Sequence, residues 1–397
     1  MLEFFSKRRT LYNNNFKVWT THEDCRRLVL ETWNKNCVRT GMHHLQLKLV
    51  CVKEAFKVWN KSFFFFYVHR QLDLAISEVD LIQKLIDIHG LHNDLHAQDL
   101  PAQLILTKAL NCKDLFWREK ARHQRFLHGD RNSAYFHRLA KIKSSFMPIS
   151  LLMMGDVRLT EPRHIEQHVL DYFLGIFGVD NTCIHNDLVS RVIPSLVTDD
   201  ENVLLTAAPN VDEIKRAVFD LNGDGAPGPD GFEGHFFQHF WDIVASDVIS
   251  SVQEFFHTCS IIPNLNSNVI VLIPKVPGAC SMGDFRPIAL ANFQFKIVTK
   301  ILAERLAIIS MRIVSPQQSG FVRDRNISDC VILASEVINL LPTKRFGGNV
   351  AMKVDIRKAF DTMDWNFLLL VLKMFGFHPV FCDWIRAILH SARLSVM

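Results

Sequence analysis

The sequence predicts an α+β fold, with a helical first half and strands set among helices in the second. Three observations predict it. Apolar residues recur at three- and four-residue spacing through about 21–61 and 72–88. A β-branched run, NVIVLIPK, stands at 268–275. A further stretch, NVAMKVDI at 349–356, alternates Val350, Met352 and Val354 with Ala351, Lys353 and Asp355. Strands interspersed with longer helices point to a mixed sheet and not to an all-helical chain.

The first helices rest on stripes such as Leu28 and Trp33, then Leu47, Val50, Ala55 and Val58, then Leu74, Val79, Ile82, Leu85 and Ile86. The four phenylalanines Phe63–Phe66 follow no such period. Over 161–177 the stripe is Ile165, Val169, Tyr172, Phe173, Ile176 and Phe177, with Thr160 placed to cap the start and Gly178 to end it. A helix at about 211–221 (Ile214, Ala217, Val218, Leu221) runs into the Gly/Pro loop NGDGAPGPDGF, and one long helix is expected over about 233–257. RPIAL at 286–290 is a second strand candidate, and helices are expected at about 292–310, 327–341, 364–375 and 379–391. LSVM, at 394–397, reads as the start of another strand.

The chain has 397 residues, 48% of them hydrophobic and 22% charged, which excludes wholesale disorder and suggests two to three domains. No apolar run approaches the ~18 residues of a membrane span, and MLEFFSKRRT lacks the features of a secretory leader. Nine cysteines without a C-x-x-C predict no disulfide framework and a reducing compartment.

Net charge is only +4, but 108–143 holds ten Lys or Arg (Arg118, Arg122, Arg125 and Arg131 among them) against Asp114, Glu119 and Asp130. Phe116, Trp117, Phe126, Tyr135 and Phe136 are interleaved. Cations for phosphates and rings for stacking are what a nucleic-acid surface needs. Two amphipathic helices with solvated basic faces explain the same residues slightly better.

Several patterns carry no chemistry. Asp220, Asn222 and Asp224 imitate a calcium loop, but its twelfth position is Gly231 and not a glutamate. His235 and His239 are one turn apart without the glutamate of a zinc-protease helix, and read as a surface pair. His89, His92 and His96 read as a polar connection between helices. GDGAPGPDG lacks the Lys-Ser/Thr of a phosphate loop and reads as turns.

One constellation does carry chemistry. Asp355 ends an alternating strand just before a turn into a helix, a place suited to holding a hard cation such as Mg²⁺, though capping of that turn is an alternative. Lys275 and Arg286 lie upstream on strand candidates. Two cations converging on a carboxylate-bound metal suit a polyphosphate.

In this order the motifs resemble the reverse transcriptase region of LINE-type, non-LTR retrotransposons, particularly those of plants. The matching strings are GAPGPDGF (225–232), VIVLIPK (269–275), DFRPIAL (284–290), QSGFVRDRNISD (within 317–329) and VDIRKAFDTMDW (354–365). GDRNSAYFHRLAKIK (129–143) and FKVWTTHEDC (16–25) resemble the segment between that family's endonuclease and polymerase. The resemblance implies a helical linker followed by the fingers and part of the palm of a right-hand polymerase. Residues 1–20 would be the end of an endonuclease, with FKVW as its last strand; 21–200 the linker; 201–397 the polymerase part. It further implies an RNA template, a DNA primer, dNTPs and two Mg²⁺ ions. Asp355 would be the first catalytic carboxylate, and Phe360 the ring that excludes a ribose 2′-OH. Lys275 and Arg286 would grip the triphosphate, and Gln317 and Gly320 would lie near the template or nascent base pair.

The family's later Asp-Asp pair does not follow Asp355; the only Asp-Asp is Asp199-Asp200, expected in a loop. Two-metal chemistry needs carboxylates from separate segments. The expectation is therefore a fragment of a retrotransposon polymerase, cut from a longer element or a degenerate copy, inactive alone and intracellular, nuclear or cytoplasmic. Alternatives are a non-catalytic nucleic-acid-binding remnant and an inert pseudogene product.

Overall fold

The computed structural model describes residues 2–4, 16–35, 39–90, 92–121, 133–144, 149–178, 187–343, 346–350, 352 and 362–397. In chain order these begin with strand β1 (Leu2–Phe4) and helices α1 (Phe16–Trp19), α2 (Glu23–Trp33) and α3 (Gly41–Trp59). A π-helical turn, Asn60–Phe64, leads into α4 (Phe65–His89), followed by α5 (Asn93–Ala121) and α6 (Ser133–Ser144). The phenylalanine run thus falls where a π turn passes into an α-helix. Strands β2 (Leu152–Met154) and β3 (Val157–Leu159) precede α7 (Pro162–Phe177), α8 (Leu188–Val192), α9 (Asp199–Thr206) and α10 (Val211–Asp220). Then come α11 (Gly234–His239), α12 (Trp241–Thr258), β4 (Ser267–Pro274), β5 (Phe285–Ala291), α13 (Phe293–Ile313) and α14 (Ile327–Leu340). Helices α15 (Trp365–Met374) and α16 (Pro379–Ser391) and strand β6 (Arg393–Val396) close the order.

The chain divides into two compact units. One holds 7–151 with 222–251; the other holds 1–6, 152–221 and 252–397, so the division falls inside α12.

In the first unit, α2 starts where the His22 ring accepts from the Asp24 amide, and Glu23 and Asp24 lie against the positive end of the helix. His92 does the same for the Leu95 amide at α5, which fits a polar connection between helices. Trp19 stacks on Phe56 at 4.9 Å between ring centres. Phe236 packs on Phe232 at 4.7 Å and lies 6.5 Å from Trp33. Asp247 gathers the Trp33 indole (2.7 Å), Lys48 (2.8 Å) and His44 (3.4 Å), tying α2 and α3 to α12. The Gly/Pro loop is a turn cluster, as its composition predicts: the Asn222 and Asp230 side chains accept from the Asp224 and Phe232 amides, and Gly231 takes φ +85°.

In the second unit a mixed sheet runs β1-β6-β4-β5. β4 pairs antiparallel with β5 and parallel with β6, and β6 pairs parallel with β1. Buried amides fasten it. Asn266 donates to the Ile388 carbonyl and the Ser391 hydroxyl, and Asn292 donates to the carbonyls of Asn264 and Leu265. Phe256 meets Trp384 edge-on at 4.8 Å, and Phe377 stacks on Phe381 at 5.1 Å.

Several expectations need correction. FKVW is the helix α1 and not a strand. Asp199 and Asp200 lie not in a loop but in the first turn of α9, whose Thr198–Glu201 capping box and dipole favour acids there. The cap of α7 is Glu161, without a side-chain bond, and not Thr160; Pro162 follows in the first turn, where its missing N–H costs no helical bond. Gly178 ends α7 as expected, with φ −97°; a Cβ there would stand 2.7 Å from the Leu174 carbonyl oxygen. The helix expected at 233–257 is two, α11 and α12, separated at Phe240. Asn349, Val350 and Met352 are not in a strand, and the rest of the stretch expected at 349–356 lies outside the described residues.

Candidate nucleotide-binding hairpin

The site begins with the β4–β5 hairpin. Register pairs Ile273 with Arg286 and Pro274 with Phe285. Pro287 is tolerated because β5 is the edge strand. The connection is held by the Asp284 carboxylate, which accepts from the amides of Cys280 (3.3 Å) and Ser281 (2.9 Å) within a reciprocal capping box. The Lys275 amide donates to the Asp284 carbonyl at 2.7 Å, continuing the ladder one step past β4.

Side chains alternate along a strand, so Lys275 shares the face of Ile273. Arg286, directly opposite Ile273, shares that face too, which makes the two cations diagonal neighbours, within reach of long side chains. Both are exposed. The Lys275 ammonium donates to the Gly283 carbonyl at 2.7 Å, and among the described residues neither cation meets a carboxylate. An exposed pair of cations on one hairpin face can bind an anion with several charged oxygens.

The next segment, 314–326, carries Gln317 and Gly320. Its organiser is Arg325, a residue the sequence reading did not single out. The guanidinium donates to the carbonyls of Met311 (3.0 Å), Val314 (3.1 Å), Ser315 (2.6 Å) and Gln318 (2.7 Å). It satisfies carbonyls left over at the end of α13 and closes the loop onto that end. Phe321 and Asp324 take left-handed backbone, at φ 64° and 61°, inside the same loop. Gln317 is exposed; its side chain accepts from the Ser315 hydroxyl, and its carbonyl accepts from the Cys330 thiol at 3.4 Å. Gly320 does not need positive φ, and a Cβ there would come 3.3 Å from the Gln318 amide nitrogen. The only cue to Arg325 in the sequence was its place inside QSGFVRDRNISD.

Of the remaining expected residues, Asp355 and Phe360 lie outside the described residues, as do Arg122, Arg125 and Arg131. Arg118 pairs with Asp114 at 2.7 Å and lies 5.5 Å from the centre of the buried Phe136 ring. Lys120 lies 4.1 Å from the Phe116 ring, and burial lowers its pKa. These cations and rings therefore pack on one another inside the first unit. Among the described residues no three His, Cys, Asp or Glu side chains converge to hold a metal. The described residues do not by themselves form a Mg²⁺ site. Cys25, Cys51, Cys112, Cys259, Cys280, Cys330 and Cys382 carry free thiols, and no described helix is long and apolar enough to cross a membrane.

The hairpin and the loop after α13 define a class once set beside known proteins. Residues 273–396, which begin within β4 and hold both cations, match the reverse transcriptase (RNA-dependent DNA polymerase) family. The chain is 27% identical over 281 residues to a Xenopus laevis protein described as the transposon TX1 uncharacterized 149 kDa protein, covering 70% of this chain and 21% of that protein. It is 29% identical over 103 residues to the Pol polyprotein of a type-1 retrotransposable element R2 from Nasonia vitripennis, covering 26% and 10%. It is 26% identical over 162 residues to that of the Drosophila melanogaster type-2 element R2DM, covering 41% and 15%. The chain thus spans about a fifth or less of these relatives. It carries a region of the reverse transcriptase family, of the kind found in non-LTR retrotransposons.

Proposed function

We propose that residues 201–397 are the fingers and first part of the palm of a right-hand reverse transcriptase, which adds dNTPs to a DNA primer on an RNA template. Residues 21–200 are read as the helical linker that precedes it and 1–20 as the end of an endonuclease. The observation that carries the reading is the pairing of Lys275 and Arg286 on one exposed hairpin face, without a carboxylate partner among the described residues, inside the stretch that matches the family. In this reading the two cations hold the triphosphate. Asp355 supplies one carboxylate toward Mg²⁺, which stabilises the charge of phosphoryl transfer, and Phe360 excludes ribonucleotides. Gln317 and Gly320 lie along the template or nascent pair. An intracellular setting, nuclear or cytoplasmic, suits the reaction.

Equilibrium binding of a fluorescent dATP analogue tests the hairpin. Each charge-assisted contact to phosphate is worth roughly 1.5–3 kcal/mol, so Lys275→Met with Arg286→Met should weaken binding at least tenfold. Equal binding by the double variant would refute the assignment.

A further inference from the structure

A groove in the first unit has no part in this reading. It encloses about 480 Å³ between the start of α2 and the facing sides of α4 and α5, within the range of ~300–1,000 Å³ usual for small-ligand sites. On α5, Lys108, Asn111, Cys112 and Leu115 follow at helical spacing and line one wall. On α4, Tyr67 and Gln71 are one turn apart and line the other, with Thr21 and His22 at the end.

Its polar groups are of two kinds. Some are already engaged: Thr21 donates to the Val18 carbonyl, and the Tyr67 and His22 rings meet edge-on at 4.4 Å. The His22 Nδ1 accepts from the Asp24 amide, which leaves Nε2 as the proton-bearing nitrogen of the neutral ring. Gln71, Lys108 and Asn111 are different. They line the groove and make no hydrogen bond or ion pair among the described residues. Among the described residues no carboxylate lines it. Burial first, then Cys112, Glu23 and Asp24, push the Tyr67 phenol up, so it stays protonated, and Asp24 is itself paired with Arg27 at 2.6 Å.

Two unengaged carboxamides, one unengaged cation and walls of Val68, Ile105, Ala109 and Leu115 form a specific combination. Carboxamides pair with the donor–acceptor edge of a nucleobase, apolar and aromatic walls accept its faces, and a lysine takes a phosphate. We propose that this groove binds one unstacked nucleotide, with its base edge on Gln71 and Asn111 and its phosphate on Lys108. It does so independently of the polymerase reading, since none of these residues lies within 273–396. The nucleotide comes either from a single strand or from free solution.

The test uses the full chain, a fluorescein-labelled oligouridylate decamer with a central 5-iodouridine, and uridine monophosphate as competitor. Irradiation should cross-link the decamer to peptides containing Tyr67 or 105–115. Gln71→Leu with Asn111→Leu, both at the groove surface, should weaken anisotropy-measured binding about tenfold. Lys108→Met should reduce the salt slope by about one phosphate contact. Competition by the monophosphate at the decamer's own affinity would identify free nucleotide as the ligand, and weak competition would identify a strand. As a control independent of any variant, saturating decamer should slow alkylation of Cys112 in the unaltered chain. Cross-links only elsewhere, unchanged affinity in a folded double variant, or unprotected Cys112 would each overturn the proposal.

Discussion

Arg305 gives the sharpest test of how the second unit is held together. Its side chain is 8% exposed and forms a two-pronged pair with Glu213, Nε to Oε1 and Nη2 to Oε2, both at 2.8 Å. Nη1 donates to the carbonyls of Leu205 (3.0 Å) and Ala207 (2.6 Å) at the end of α9, and the guanidinium lies 5.4 Å from the Phe256 ring centre. One side chain on α13 therefore joins α9 and α10, and α13 leads directly out of the hairpin strand β5. Arg305→Met leaves a carboxylate and two carbonyls without their partner. Breaking a buried pair from one side costs about 3–5 kcal/mol, and the partial exposure of Glu213 argues for about 3. At a urea slope of about 2 kcal/mol per molar, the midpoint should fall by about 1.5 M. Arg305→Met with Glu213→Leu removes the stranded charge and should recover about half of that loss, a coupling well outside the scatter of independent sites. The midpoint is read by amide hydrogen exchange on peptides from α10 and α13, which isolates this unit. A midpoint within 0.3 M of the unaltered chain, or strictly additive losses, would refute the reasoning.

Other outcomes follow from the same geometry. Burial raises the Glu119 pKa from 4.5 to about 7, with the Val18 amide at 3.3 Å opposing the shift, Glu233 adding to it and Lys17 reducing it. The folded value exceeds the unfolded one, so stability of the first unit is full below about 4.5 and falls as pH rises through about 7; in Glu119→Gln, urea midpoints across that window should lose the slope Glu119 contributes. Arg325→Met should speed amide exchange in 314–326 while sparing α10, because four carbonyl contacts are lost at one end of α13 only. Primer extension by the 397 residues should not exceed that of Asp355→Ala. Fusing the corresponding later palm segment of a relative should restore extension, abolished again by Asp355→Ala, with Phe360→Ala admitting ribonucleotides.

What the sequence made legible were features with a local cause. The β-branched run and RPIAL became β4 and β5 within a residue or two, since pairing needs only alternation, a turn and an edge that tolerates Pro287. The helices expected at about 364–375 and 379–391 fell at 365–374 and 379–391, and the one expected at about 292–310 runs three residues further, to Ile313. FKVW failed as a strand because four residues carry almost no periodic information, and partners decide such a segment. Asp199-Asp200 looked like loop chemistry, yet two acids after a threonine are what a helix start selects, with Glu201 completing the box.

The site divided along the same line. The shared face of Lys275 and Arg286 follows from strand parity once the hairpin register is known, so it was nearly readable from the chain. Arg118 shows the opposite case. Its segment had the composition of a nucleic-acid surface, but composition cannot distinguish a cation aimed at solvent from one turned onto Asp114 and Phe136. Arg305 and Arg325 were invisible for a related reason. Each answers carbonyls orphaned where helices end, and those carbonyls are defined only after the helices have packed. A basic residue's role in this chain is thus set by whether folding leaves it acceptors. Lys275 donates to one carbonyl and Arg305 to four oxygens, so the hairpin lysine keeps donors for a further acceptor and the buried helix arginine does not.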